Sequence, residues 1–410
     1  MMKSKYLKYI CVSAVATLLA VMASACGKKE PGSDTRPEKF DNVVLVYAAS
    51  ANNLYSNLHA DKREMLEGLE KTNPAKTRLL LLETTLESSE GGRRVILLEG
   101  VRSGGKFVFR EIKSFSPDVY TTDPARLAEV LDYVTREFNS EKYGLVLWSH
   151  GGAWDPYGNS RTNVKGIGGN TSVDVPEAHW WGDDKIDGVS DRMNIDELAS
   201  AIPSGLLHFI WFDCCYMSNI ETIYQLRDKC RYLAAYPTEV YNPGMDYTRA
   251  VPALLKSEPD LPAAAKALYD YYTGPEWTAA TKAVTVGVFD MTHIGGVADA
   301  ARKAFASYVR PSADGLLKYS RGGVSSLYDL RQTMERVAES TGIKLDSREL
   351  DEAFGKFTVV KYASEEDFNS NPIAPEHFSG LSTHIADPAD DSAAERYFRS
   401  LDWTKEVYPF

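Results

Sequence analysis

Basic tracts are missing. No run of Lys and Arg stands out in the 410 residues, and 46 bases face 57 acids, a net charge of −11. Such a chain lacks the electrostatic footprint of a nucleic-acid binder, and no nucleic-acid partner is expected. Cysteine is scarce, with only Cys11, Cys26, Cys214, Cys215 and Cys230. There is no CxxC and no Cys/His cluster of zinc spacing. The three cysteines beyond residue 26 are an odd number, which argues against a disulfide framework and for at least one free thiol. Internal repeats and low-complexity tracts are also absent. With 44% apolar and 25% charged residues, the composition excludes disordered and collagen-like chains. The length allows two to four domains.

One apolar run stands apart from the rest. Lys3, Lys5 and Lys8 precede Tyr9 to Met22, and Ala23-Ser24-Ala25-Cys26-Gly27 follows. A basic start, an apolar middle and small residues before a break point form an export signal. The run is short for a spanning helix. A Cys after small residues is similar to a bacterial lipobox, although Ala23 stands where Leu is usual. Cys26 is therefore the expected lipidation site, with a lipid anchor to a bacterial membrane, the outer membrane being favoured. Plain secretion and a retained anchor are the alternatives. Removal of residues 1–25 would leave 43 bases against 57 acids, a net −14. Residues 27–40 read as a tether without apolar periodicity.

Beyond the tether, apolar runs of strand length alternate with helical patterns. Val43–Tyr47, Arg78–Glu83, Leu145–Trp148, Phe209–Phe212 and Leu233–Tyr236 read as strands, with Val95–Leu98 and Phe107–Phe109 as an antiparallel excursion. Helices are expected at about 54–69, 124–138, 194–202 and 218–229. Runs that are apolar at every position belong to strands covered on both faces, so a mainly parallel sheet between two helical layers is expected. This α/β region is expected to span 41–248 as one domain. Residues 249–410 are expected to be a smaller α+β region, with helices at about 262–270, 294–310, 325–340 and 348–354 and strands at Val284–Phe289 and Phe357–Tyr362. Residues 151–193 break the alternation as a long Gly-, Asp- and Asn-rich loop of a kind that is usually functional or cleaved.

Two strands end in reactive residues. Leu145–Trp148 runs into Ser149-His150-Gly151-Gly152, and Phe209–Phe212 into Asp213-Cys214-Cys215-Tyr216-Met217. Sites in open α/β sheets form at the carboxyl ends of strands. If these strands are neighbours, His150 and a cysteine face one crevice, as a thiol nucleophile and its base require. Spacing alone leaves room for a packing His and a buried Cys.

More of the chain joins the pattern. Val44–Tyr47 with Asn52-Asn53-Leu54, Tyr143–Trp154 around His150, Phe212–Met217, and Ile220-Glu221 to Asp228 together resemble the clostripain-like cysteine peptidases, with weaker marks at Asp290 and Gly380-Leu381-Ser382. Departures are Ser149 where Asp is common, Cys214 where Ala is common, and Ala235–Glu239 in place of an Ala-Ser-Glu-Glu-like segment. The resemblance implies a caspase-like fold and an endopeptidase with a His150–Cys215 dyad. It makes the N–H groups of Gly151 and Cys215 the oxyanion donors. A side chain at Gly151 would also crowd a substrate.

Asp213 lies two residues before Cys215, so strand alternation points both to one side. A carboxylate buried beside a cleft costs desolvation unless a cation arrives. The resemblance implies that Asp213 takes a basic P1 residue, Arg or Lys, of a polypeptide substrate. The bland alternative is that Asp213 caps a helix beginning near Met217. An inactive binding module and a different thiol amidase or transpeptidase are the competing functions. The chemistry needs no cofactor, and the protein is expected to work as a monomer.

Two further expectations concern the long loop. Asp183, Asp184, Asp187 and Asp191 have the acidity of a calcium loop but lack the closing Glu of an EF-hand, so a solvated acidic loop is the plainer reading. The resemblance includes calcium-dependent members and members that cut themselves between the His and Cys blocks. Arg161 and Lys165 are the expected self-cleavage positions of a zymogen held back by this loop, the alternative being a loop that closes over the cleft and is never cut.

Overall fold

The run Val43–Tyr47 becomes β1 (Asn42–Ala48), with all seven residues buried. Next come α1 (Tyr55–Glu70), β2 (Thr77–Thr85), β3 (Arg94–Ser103) and β4 (Lys106–Phe115). Asp123 caps α2 (Pro124–Glu137) by accepting from Ala125 N–H, and Pro124 sits in the first turn where no N–H is missed. β5 (Tyr143–Trp148), β6 (Gly151–Trp154), β7 (Val164–Gly166), β8 (Gly169–Thr171), β9 (His179–Ile186), β10 (Val189–Asn194) and α3 (Ile195–Ala201) lead to β11 (Leu207–Asp213). After it come α4 (Ile220–Gln225), β12 (Cys230–Ala235), α5 (Tyr247–Leu254), α6 (Leu261–Thr273), β13 (Thr285–Asp290) and α7 (Ile294–Ala304). The chain closes with β14 (Leu327–Asp329), α8 (Leu330–Thr341), α9 (Ser347–Phe357), β15 (Thr358–Ala363), β16 (Ser382–His384), α10 (Ala393–Ser400) and α11 (Asp402–Val407). This computed structural model describes residues 39–72, 74–86, 92–154, 164–166, 169–171, 179–277, 282–319 and 327–410, with only the backbone of 154, 164–166 and 169–171. The signal, Cys26, the tether up to residue 38 and Arg161 lie outside the described residues.

Nine strands form one sheet in the order β15-β13-β12-β11-β5-β1-β2-β3-β4. The five central strands, β12-β11-β5-β1-β2, pair in parallel. The four outer pairings, two at each end, are antiparallel. The expected mainly parallel sheet is thus corrected to a mixed one with helices on both faces. The direction of an outer strand depends on its connection, and an apolar run does not encode it. β13 and β15 come from beyond residue 248 yet complete this sheet, and Lys39–Phe410 is one compact unit.

Alternation along the strands builds two cores. Leu45, Tyr47, Leu145, Leu147, Ile210 and Phe212 face one helical layer, which includes α2 and α7. Val44, Val46, Val146, Trp148, Phe209 and Trp211 face the other, made by α1, α5 and α6. The side chain of Asp213 continues this second face.

The stretch 179–194 is a hairpin, not the loop expected from its composition. β9 lies between β6 and β10 in a small separate sheet. Its two-residue turn holds Asp187 and Gly188 at φ 51° and 80°, the positive-φ geometry that suits the twist of paired strands.

Candidate active site

β5 and β11 are neighbours, and Asp213 is directly paired with Trp148. The chain leaves both strands at the same sheet end, so His150 and Cys215 each follow two residues beyond that pair. The two loops press together. A side chain on Gly151 would lie 2.4 Å from the Cys215 carbonyl oxygen, 2.9 Å from Met217 and 3.0 Å from the Cys214 sulfur. The requirement for glycine at 151 is therefore met first by the protein's own backbone. His150, Asp213, Cys215, Glu239, Val240, Tyr241, Gly244 and Phe368 surround one cleft of about 330 Å³.

β11 ends at Asp213, and alternation ends with it. Cys214 and Cys215 both pack against the α2-side core, Cys214 buried and Cys215 half-buried, rather than pointing to opposite faces. Tyr216 then takes φ 64°, a left-handed conformation that is uncommon for a bulky residue. Its N–H is bonded to the Thr238 carbonyl, and Ser218 N–H to the Tyr236 carbonyl, so the segment 236–240 runs beside the cysteine turn. Val240 N–H points at the Cys215 sulfur at 3.3 Å. Burial pushes the Cys215 thiol up to about 11, with Glu239 and Asp213 adding to the rise and the Val240 contact opposing it. Burial also lowers the His150 imidazole, opposed by Asp183 and helped by Arg192 and Lys185. The resting pair at neutral pH is a neutral thiol and a neutral imidazole. Cys214, Cys215 and Cys230 are all free thiols.

Asp213 is 4 % exposed and accepts from Met245 N–H at 3.0 Å and Tyr247 O–H at 2.9 Å. It caps no helix: α4 begins at Ile220 and is capped by Asn219, which accepts from Thr222 N–H. Burial raises its carboxyl to about 7 against the two hydrogen bonds. Behind it lies Asp61 of α1, which accepts from Trp148 Nε1 and is raised to about 9 by burial and then by Asp213. At neutral pH Asp61 is therefore protonated. Glu64, raised to about 7, accepts from Tyr247 N–H. Among the described residues no Lys or Arg forms an ion pair with Asp213, so the pocket holds acceptor capacity. Asp61, Tyr247 and Gly244 were not expected from the sequence, since they reach Asp213 from α1, from α5 and from the loop before α5, which share its face of the sheet but lie far from it along the chain.

The acidic hairpin does not gather its carboxylates. Asp184 accepts from Arg93 at 2.6 Å and Thr121 N–H at 2.5 Å, and Asp191, its partner across the hairpin, accepts from Thr122 O–H at 2.6 Å. Asp187 sits in the turn, and the Asp183 carbonyl accepts from Asn52. Among the described residues no three His, Cys, Asp or Glu side chains are grouped to hold a metal ion. Asp184 and Asp191 face each other with other partners while Asp187 sits in the turn, so the arrangement gives the suggested calcium set no support. Lys165 lies in β7, paired with Asn170 of β8.

The sheet, the two strand-end residues and the acidic pocket define a thiol-hydrolase arrangement on an α/β sandwich. Residues 46–341 match the model of the Clostripain family, and the chain belongs to that family. Clostripain of Hathewaya histolytica is 26% identical over 239 residues, covering 53% of this chain and 43% of that protein. The chain thus matches less than half the length of this curated relative. Two solved structures share the fold. A secreted C11 cysteine protease of Bacteroides thetaiotaomicron in complex with an irreversible peptide inhibitor has a TM-score of 0.71 at 24% identity, covering 90% of this chain and 99% of that one. An inactive zymogen C11 protease of Parabacteroides distasonis has a TM-score of 0.71 at 21% identity, covering 91% and 100%.

Proposed function

We propose that the chain is a cysteine endopeptidase that cuts polypeptides after basic residues. The observation carrying this reading is that two neighbouring strands bring His150 and Cys215 to one cleft walled by a buried carboxylate, Asp213. His150 takes the thiol proton as the Cys215 sulfur attacks the scissile carbonyl carbon. The carbonyl π electrons move to oxygen, and the N–H groups of Gly151 and Cys215 are assigned to that oxyanion. Collapse breaks the C–N bond, and His150 returns the proton to the leaving amine. Water, deprotonated by His150, then hydrolyses the thioester and restores the thiol. A neutral resting pair supports His150 as general base during attack rather than a thiolate formed beforehand. Asp213 is assigned to the P1 cation, Arg by a fork or Lys as a point charge.

Fluorogenic peptides with Arg, Lys or Asp at P1, given to the wild type and to Cys215→Ala, test the reading. Turnover of Arg and Lys peptides by the wild type alone is expected. Turnover of none of them, or equal turnover by the variant, defeats it. EGTA is expected to leave turnover and Tm unchanged, because Asp184 and Asp191 are engaged with Arg93 and the Thr121–Thr122 segment.

Export with a lipid on Cys26 is part of the proposal, supported by the basic, apolar and small-residue order of the start. Among the described residues no helix is long and apolar enough to cross a membrane. Cys26→Ala is expected to move the protein from the membrane fraction to the soluble one. Action as a monomer is checked by light scattering of the 27–410 form.

A further inference from the structure

His150 has two ring nitrogens, and only one of them can serve the thiol. Nε2 lies 2.7 Å from the side-chain oxygen Oδ1 of Asn53. An amide oxygen accepts and cannot donate, so this contact requires the proton on Nε2. Nδ1 is then bare, and a bare nitrogen is what a general base needs.

The contact is supported from beneath. β1 and β5 are paired through Ala48 and Trp148, so the loops that follow them run side by side. Asn52 locks the first loop: its amide donates to the Ala49 carbonyl at 2.8 Å and the Asp183 carbonyl at 2.7 Å, and its oxygen accepts from Leu54 N–H. Ser149 locks the second: it donates to the Ala49 carbonyl and accepts from Asp183 N–H. Gly182 N–H holds the His150 carbonyl at 2.9 Å. Asn52 is thus spent on the backbone, and the exposed Asn53 beside it is turned to the imidazole.

We propose that Asn53 is a positioning residue for the reaction: it fixes the Nε2–H tautomer of His150 and holds the ring with Nδ1 towards the Cys215 thiol. When Nδ1 takes the thiol proton, Nε2–H becomes part of an imidazolium and its bond to Asn53 Oδ1 becomes charge-assisted, hence stronger. The contact therefore stabilises the charged state that the reaction passes through more than the resting state. This assignment rests on the reading of the chain as a Cys–His peptidase. The other charged groups acting on the imidazole are Asp183 and Lys185 of β9 and Arg192 of β10. On the cysteine side, the groups that face it across the cleft are Cys215, Asp213 and Glu239.

The test uses the 27–410 form with Asn53→Ala and Asn53→Asp. Histidine labelled with ¹⁵N reports the tautomer directly, with the His150 signal assigned by its loss in His150→Gln. Wild type is expected as Nε2–H, and Asn53→Ala as a mixture. A general base is worth ~10²–10⁴ in rate, and misorienting it forfeits on the order of 10–100-fold. Asn53→Ala should therefore lose on the order of 10–100-fold in kcat on an Arg-P1 peptide, with KM within about twofold. Asn53→Asp puts a carboxylate on the imidazole, which should raise its pKa by about one unit and move the acid limb of kcat/KM upward. Tm should stay unchanged in both, because the Asn53 side chain is exposed. Wild type in the Nδ1–H tautomer, or Asn53→Ala with wild-type kcat and tautomer, overturns the proposal. A wild type that cuts no peptide overturns the peptidase reading instead, and the tautomer measurement still decides the role of Asn53.

Discussion

Cys214 is 4 % exposed among apolar neighbours, while Cys215 opens on the cleft beside Val240 N–H. Cys215→Ala is expected to abolish turnover, and Cys214→Ala to keep it at a packing cost of about 1 kcal/mol. Mass spectrometry after an arginyl chloromethylketone locates the label, and a label on Cys214 would reverse the assignment. Asp213 makes a second prediction. Its carboxyl, raised to about 7 by burial, must be ionised to hold a P1 cation. The carboxylate predominates above about pH 7 and is protonated as pH falls through it, so KM for Arg and Lys peptides should rise below pH 7. Asp213→Asn should raise that KM on the order of 10–100-fold, from a lost charge-assisted contact of about 1.5–3 kcal/mol, and flatten its pH dependence. Gly244→Ala, whose added methyl would lie 2.9 Å from Asp213 Oδ1, should block the same pocket without touching the nucleophile. A KM that stays constant from pH 6 to 8 would remove Asp213 from recognition. His150, Asp213 and Cys215 were legible because each follows an apolar run at a strand end. Asn53 and Asp61 were not: their contacts span 97 and 87 residues of sequence. The φ of Tyr216 was hidden because nothing in its residue type favours that conformation.

α4 ties the turn after the nucleophile to the C-terminal part of the chain. Ser218 O–H donates to the Gly380 carbonyl at 2.6 Å, and Ser382 N–H to the Ser218 carbonyl at 2.9 Å. On α4, the fully buried Glu221 accepts from Thr383 O–H at 2.6 Å and His384 N–H at 3.3 Å. Burial raises its carboxyl to about 7, against those hydrogen bonds. A carboxyl whose folded pKa exceeds its unfolded one, ordinarily 4.5, contributes stability that is full below about 4.5 and lost as pH rises through about 7. Glu221→Gln removes this dependence while keeping an acceptor oxygen. The Tm difference, variant minus wild type, should therefore grow from pH 5 to pH 8. A constant difference across that range would mean that Glu221 ionises in the folded protein as it does in the unfolded one. The same elements mark what sequence patterning can hold. Apolar runs located β1, β5, β11 and β13 within a residue or two, and Pro124 located the start of α2. The β9–β10 hairpin was missed because most of its buried positions are Trp, Gly, His, Asn and Asp rather than aliphatic, and its buried Asp184 and Asp191 are satisfied by Arg93 and the Thr121–Thr122 segment far along the chain.

The order of strands across the whole molecule sets what a self-cut would do. The segment between His150 and Cys215 connects β5 to β11, which lie side by side in the middle of the nine-stranded sheet. Five residue pairs join them, and both cores run continuously across the pair. A cut after Arg161 or Lys165 would therefore give two chains that stay together, since separating them would expose the apolar faces of central strands. It would also sever the chain between β6 and β9, strands of the small sheet whose Gly182 N–H holds the His150 carbonyl. That is the physical basis for expecting activity to rise on cutting. Lys165 is paired with Asn170, so that short hairpin must open before an extended segment around Lys165 can enter a cleft. Incubating the 27–410 form beside Cys215→Ala, with sequencing of new amino termini, checks the expectation. Wild type should yield fragments beginning at Thr162 or Gly166 that separate under denaturation and co-elute under native conditions, with activity rising as they appear. Arg161→Ala combined with Lys165→Ala should stay whole. Fragments appearing equally in Cys215→Ala would assign the cut to another protease, and full activity in an uncut chain would mean that the segment does not restrain the site.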